Sequence, residues 1–198
     1  MRYLAIASVA SIALLAACSQ GGDSAGQNAG EAVNATQDAT SGVVGQTSAM
    51  TMGANTVDGF VTSLGIGNMY ELEAAKVAAT KAKSADVKAL AAMITKDHTD
   101  AGQKLQTAAA AAEPDVEIPT ALDERRKGMV DNLNAATPDD FDKVYLTQQV
   151  AAHNETLTLL NGFSDNTDAP GLASLARELI APVTMHRDRA QTLLDAMN

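Results

Sequence analysis

The sequence predicts an all-α protein, an up-down four-helix bundle with one additional short helix. No window alternates apolar and polar residues with the period of two that a strand requires, and the β-branched residues are scattered through alanine-rich segments. Helix-starting residues, prolines and glycines divide residues 56–198 into four long helical segments and a short one. The connections between these segments are short, so neighbouring long helices are expected to run antiparallel.

The first two long helices are expected on either side of a capping serine. The first is predicted over residues 57–83. Ser84 suits the N-cap of the second, because its hydroxyl can accept a hydrogen bond from a free backbone N–H, and Asp86 is favourable in the first turn. The second helix is expected to reach about residue 112, where a loop with two prolines follows.

The remaining helices are expected to begin at threonine- and proline-containing segments. Thr120, with Asp123 three residues later, resembles a capping box and predicts a short helix to about residue 134. Pro138 suits the first position of a long helix that runs to about residue 162. Pro170 likewise starts the last helix, which is predicted to reach the C-terminus.

The N-terminus resembles a bacterial lipoprotein signal. Residues 1–18 combine Arg2 with a short apolar run and end in Leu-Ala-Ala-Cys, which resembles the lipobox whose cysteine becomes the lipidated first residue. The alternative is an ordinary secretory signal with an incidental cysteine. Cys18 is the chain's only cysteine, so its lipidation leaves no disulfide, no thiolate ligand and no cysteine nucleophile. Ser19, rather than aspartate, favours the outer membrane, with the domain facing the periplasm or, alternatively, the cell surface.

Residues 19–55 are predicted to be a disordered tether, and residues 56–198 the folded domain. The tether is rich in Gly, Ser, Gln, Asn and Ala and offers little apolar surface to bury. The chain carries a net charge of −10, which argues against nucleic acid as a partner because nucleic-acid sites need clustered Lys and Arg. Membrane attachment is therefore expected through Cys18 alone, and protein partners stay open.

The chain's three histidines fall on or beside the inward stripes of three different helices. Spacings of three and four residues place His153 and His186 on the apolar stripes of their helices, and position 97 or 98 must continue the stripe of the second helix. Glu71 occupies the stripe of the first helix. All four positions lie near the helix midpoints, and midpoints of antiparallel helices meet at one level, so these side chains are expected to converge in the core.

Burying such polar groups without hydrogen-bond partners would cost roughly several kcal/mol of folding free energy. Coordination to a divalent metal would offset this cost. Imidazole nitrogen and carboxylate oxygen suit zinc, iron, manganese or copper, and the sequence leaves the metal's identity open. A carboxylate-bridged diiron centre is disfavoured, because no Glu-x-x-His pair is present. The alternative is a metal-free polar cluster in which Asp97, Glu71 and the histidines bond to one another.

Five segments of the chain form a recognisable set: Met69-Tyr70-Glu71-Leu72-Glu73, Met93-Ile94-Thr95-Lys96-Asp97-His98, Ile118-Pro119, Phe141-Asp142 with Tyr145 and His153, and Pro182 with His186. Together they resemble a ferritin-like family of bacterial outer-membrane or periplasmic proteins, catalogued as domain of unknown function 4142. The resemblance implies a ferritin-like bundle and supplies no biochemical activity. Asn154 departs from the family, which commonly has Glu there.

The resemblance implies the characteristic polar positions Glu71, Asp97, His98, Asp142, Tyr145, His153 and His186. We expect a lipid-anchored envelope protein that binds a metal for storage, buffering or stress protection. The expected metal ligands are Glu71, His98, His153, His186 and Asp97, and the expected outer hydrogen-bond partners are Asp142, Tyr145 and Gln149. No catalytic residue is assigned. The alternative function is a non-catalytic structural or adaptor domain with a metal-free polar core.

Overall fold

The computed structural model describes residues 24–50, 56–112 and 116–197, so the signal segment and Cys18 lie outside the described residues. Within these ranges all regular secondary structure is helical, which confirms the all-α class. Of the described helices, none combines the length and apolar character needed to cross a membrane. The helices are α1 (Ser24–Ser48), α2 (Val57–Lys81), α3 (Ala85–Ala110), α4 (Glu124–Ala135), α5 (Phe141–Phe163) and α6 (Pro170–Asp195).

The prediction of a disordered tether is wrong over Ser24–Ser48, which forms α1 and contacts α4 and α5. Among residues 32–50, the buried positions are Asp38, Ser41, Gly45 and Ala49, spaced by three or four residues. This stripe is small and polar, so a search for apolar periodicity does not detect it. A Cβ atom on Gly45 would lie 1.9 Å from Oε2 of Glu155 on α5, so glycine permits this close approach.

Two predicted helix starts are also wrong. The N-cap of α4 is Asp123, whose carboxylate accepts a hydrogen bond from the Arg126 backbone N–H at 2.7 Å, while Thr120 lies in the preceding loop. Helix α5 begins at Phe141 rather than at Pro138. The Asp140 backbone N–H bonds the Thr137 carbonyl at 3.2 Å, so a turn precedes the helix. The predicted Ser84 cap of α3 is present.

Helices α2, α3, α5 and α6 surround a common interior. Helix α2 contacts α3 and α5, and α6 contacts the same two helices, so the contacts close a ring. Two apolar clusters fill the interior at successive levels. The first cluster takes residues 70–78 of α2, 87–94 of α3, 129–133 of α4, 141–152 of α5 and 190–194 of α6. The second takes residues 57–64 of α2, 101–109 of α3, 157–163 of α5 and 172–183 of α6.

The histidines occupy the level between the two clusters. His98, His153 and His186 each fall in the interval that separates the two clusters on α3, α5 and α6. On α2 the corresponding interval is residues 65–69, which contains Asn68. Apolar packing above and below therefore holds one polar level in the core, to which α2, α3, α5 and α6 contribute.

Candidate metal centre

Three imidazole rings from three helices meet at the polar level. The ring centroids of His98 and His153 are 5.7 Å apart, those of His98 and His186 are 5.7 Å apart, and those of His153 and His186 are 5.4 Å apart. One potential ligand atom from each ring lies within 4.8 Å of the others. The exposed fractions of the three residues are only 7%, 1% and 1%, so the cluster is buried.

Side-chain acceptors orient two of the rings. Nδ1 of His98 lies 3.0 Å from Oδ1 of Asn68, and Nε2 of His186 lies 3.1 Å from Oδ2 of Asp97. Amide and carboxylate oxygens accept, so these nitrogens carry the hydrogens and donate. The opposite nitrogens, Nε2 of His98 and Nδ1 of His186, are then left with a lone pair.

The third ring is oriented by its own helix. Nδ1 of His153 donates to the Gln149 carbonyl oxygen, one turn earlier in α5, at 2.9 Å. Its Nε2 therefore carries the lone pair. A backbone carbonyl inside a helix is a fixed acceptor, so the orientation of this ring does not depend on another side chain.

The three lone-pair nitrogens make no hydrogen bond. Nε2 of His98, Nε2 of His153 and Nδ1 of His186 are buried and have no partner among the described residues. A buried acceptor left unpaired costs roughly 1–3 kcal/mol. A divalent cation bound by all three would satisfy them together, so the donor atoms present fit a metal.

Burial keeps the rings neutral. It is the largest cause that lowers the pKa of each histidine, and it lowers the pKa of His153 to about 3. The neighbouring rings lower the pKa of His98 further, while the Asp97 carboxylate opposes the shift at His186. Neutral imidazole is the form that ligates metals, so the cluster is in its ligating form at neutral pH.

The structure places Glu71 behind His153 rather than among the three nitrogens. Oε1 of Glu71 lies 3.6 Å from Nδ1 of His153, the nitrogen that already donates to the Gln149 carbonyl. The carboxyl is buried, and its Oε2 has no hydrogen-bond partner in the part of the chain that the structure describes. Burial raises the pKa of Glu71 to about 8, against the smaller effects of the Gln149 amide and the Arg126 charge, so the acid is largely protonated at neutral pH.

The other predicted site residues lie in two different parts of the structure. Tyr145 and Gln149 are buried near Glu71, and among the described residues the Tyr145 hydroxyl and both polar atoms of the Gln149 amide have no hydrogen-bond partner. Burial, then the Glu71 charge, raise the pKa of Tyr145 well above its usual value. Asp142 instead lies at the α2–α3 connection, where it accepts hydrogen bonds from the backbone N–H groups of residues 83 and 84.

Asn68 is the site residue that sequence reasoning missed. It lies three residues before Glu71 on α2, hence on the same helical face, and it supplies the acceptor for His98. Helical spacing places both Asn68 and Glu71 on the inward face of α2. Spacing alone does not show which of the two polar side chains contacts a histidine of the cluster.

A small cavity borders the cluster. It has a volume of about 30 Å³ and is bounded by the rings of His98 and His186. Most of its other walls are apolar, and Asp97, whose side chain is 24% exposed, lies at its edge. The remaining lining residues are Leu64, Asn68, Ala101, Leu105, Thr156, Leu179, Pro182 and Val183.

Comparison with known proteins identifies a family without an assigned activity. The family described as Domain of unknown function (DUF4142) matches residues 43–193, which is more than half of the chain. No curated protein and no solved structure matches the chain. The chain belongs to the DUF4142 family.

Proposed function

We propose that the chain is a binding protein for a divalent transition metal, held by His98, His153 and His186. The observation that carries the proposal is the set of three buried, unpartnered imidazole nitrogens, with the cluster's ligand atoms within 4.8 Å of one another. A cation bound by all three histidines would satisfy these nitrogens with coordination bonds.

The ligand set is all nitrogen. Imidazole suits zinc, copper, iron and nickel, whereas manganese is better served by oxygen ligands. Asp97 acts through His186, because a carboxylate that accepts from a ligating histidine fixes the ring and raises its basicity. Glu71 occupies a comparable outer position next to His153.

The fit requires a modest contraction. Metal–nitrogen bonds of about 2.0–2.1 Å place tetrahedral ligand atoms roughly 3.3 Å apart. The histidine atoms lie within 4.8 Å of one another, so small ring rotations would bring them to that separation. The hydrogen bonds of His98 with Asn68 and of His186 with Asp97 join two side chains, so the acceptor side chain can rotate together with the ring.

We further propose that α2, α3, α5 and α6 form a ferritin-like up-down four-helix bundle, anchored to the outer membrane by Cys18 and facing the periplasm. Closed contacts among these helices and the short α2–α3 connection support the bundle. The lipobox-like sequence supports the anchor. Metal storage, buffering or stress protection would then take place in the cell envelope.

The test is the metal content of the full-length protein, purified in detergent without chelator or immobilised metal. We expect one transition metal per chain and a melting temperature that falls after chelation. His98→Gln should lose the metal, whereas Gln103→Ala, on the exposed face of the same helix, should retain it. A protein that takes up no zinc, iron, copper or nickel would contradict the proposal.

The second candidate function is a structural or adaptor domain with a metal-free polar core. One observation favours it, because the chain builds such a network elsewhere. Asp38 accepts hydrogen bonds from Gln148 at 2.6 Å and Asn132 at 2.8 Å, and Tyr70 donates to Gln148 at 2.8 Å. This candidate predicts that the melting temperature does not respond to chelators or added metals.

A further inference from the structure

We propose that the metal centre keeps one coordination position open toward the cavity beside His98 and His186, and that this position takes a small monovalent anion of at most three heavy atoms. The inference rests on the proposed function. It goes beyond it by assigning the chemical class and the size of a second ligand.

The number of protein ligands leaves the position open. Three imidazoles provide three donors, and the described group of potential ligand atoms contains no fourth residue. A tetrahedral ion with three protein ligands has one position for an external ligand. His153 does not line the cavity, whereas His98 and His186 do, so the free side of the triad lies toward the cavity.

The charge balance selects an anion. A divalent ion with three neutral imidazoles has a charge of +2, and Asp97 is the only charged side chain among the residues that line the cavity. Lys96 pairs with Asp97 at 3.0 Å from the solvent side, which weakens this compensation. Glu71, the other carboxyl near the triad, lies beside His153 and does not line the cavity, so on the cavity side at least one positive charge stays uncompensated. In an interior of low dielectric such a charge interacts strongly with an anion.

The walls restrict the size of the anion. A cavity of about 30 Å³ is small, because a single water needs roughly 10–15 Å³ measured in the same way. Leu64, Leu105, Leu179 and Val183 provide no hydrogen bonds for a larger polar molecule. Asn68, whose amide oxygen accepts from His98, also lines the cavity.

The test uses the full chain loaded with cobalt(II), whose visible absorption reports its ligands, and azide as the probe. We expect one cobalt per chain and a saturable spectral change with azide. Benzoate, too large for the cavity, should not compete. Ala101→Val narrows the cavity and should weaken azide binding at least tenfold without changing cobalt stoichiometry. Ala92→Val makes the same change on the exposed face of α3 and should match the wild type.

The outcomes separate the two proposals. A chain that binds no cobalt would overturn the proposed function and this inference with it. A chain that binds cobalt but shows no spectral change with azide would overturn the inference alone. Equal competition by benzoate would refute the size limit, and this comparison needs only the wild type, so it holds even if Ala101→Val does not fold.

Discussion

Asp97 on α3 accepts a hydrogen bond from His186 on α6 at 3.1 Å, while the next residue, His98, turns its own ring into the same cluster. The adjacent acid and imidazole thus have different tasks. His98 provides a lone pair, and Asp97 fixes the proton of His186 on Nε2 so that Nδ1 is left free. One short segment of α3 therefore contributes one of the three histidines and orients another.

Replacing Asp97 should weaken metal binding without removing the site. Asp97→Asn loses the carboxylate that raises the basicity of His186, and such changes typically cost about 10–100-fold in affinity. Competition against a chromogenic chelator measures the effect. Asp100→Asn is the control, because its exposed carboxylate lies three residues later and pairs with Lys96 at 3.6 Å. Equal affinities for the two variants would show that Asp97 does not act on the centre.

The variant Glu71→Gln tests whether Glu71 binds the metal directly or lies outside the ligand set. Glutamine resembles the protonated acid that burial favours, so we expect unchanged metal stoichiometry. If Glu71 were instead a ligand, Glu71→Gln would lose metal. The same atomic absorption measurement on Glu71→Ala shows whether the side chain's volume matters separately.

Glu71 also predicts a pH dependence of stability in the metal-free protein. Its pKa rises from 4.5 to about 8 on folding, so its contribution to stability is complete below 4.5 and is lost as pH rises through about 8. Between pH 5 and 7.5, the wild type should lose about 3 kcal/mol relative to Glu71→Gln. Urea unfolding at the two pH values measures this difference. Parallel stability profiles would contradict the account.

The buried histidines predict a stability that changes with pH in the opposite direction. Burial lowers the pKa of His153 from 6.5 to about 3, so its contribution is present above 6.5 and is lost as pH falls toward 3. Between pH 6.5 and 5 the metal-free wild type should lose about 2 kcal/mol relative to His153→Gln. Urea unfolding again provides the measurement. A wild type that loses no more stability than the variant would show that this ring is protonated in the fold.

Helix α1 should detach when its close approach to α5 is blocked. Gly45→Ala places a Cβ atom against Glu155, which pairs with Arg126 at 2.6 Å and Arg125 at 2.8 Å. We expect α1 amides to lose hydrogen-exchange protection while the other helices keep theirs. Gly30→Ala is the matched control on α1, because its Cβ would meet nothing within 4 Å. Equal protection in both variants would contradict the packing described here.

The sequence was sufficient for the all-α class and for the meeting of the histidines. Spacings of three and four residues show which face of a helix is buried, and the equal heights of His98, His153 and His186 follow from helix length. Both kinds of information are local to one helix. The Ser84 cap could be predicted for the same reason.

The sequence was not sufficient to predict features that depend on contacts between helices. Helix α1 buries Asp38 and Ser41 through hydrogen bonds and close approach, which no hydrophobic pattern reveals. Asn68 and Glu71 share a helical face, so only the packed structure shows that Asn68 bonds His98 while Glu71 lies behind His153. Pro138 lies in a turn, which is closed by the hydrogen bond from the Asp140 backbone N–H to the Thr137 carbonyl.

X-ray absorption at the zinc edge, on the full-length chain loaded with one equivalent of zinc, tests the central claim most directly. The account predicts three imidazole nitrogens at about 2.0–2.1 Å and one further light ligand. Addition of azide should alter only that further ligand. A first shell of oxygen alone, or one with fewer than two imidazoles, would contradict a centre formed by His98, His153 and His186.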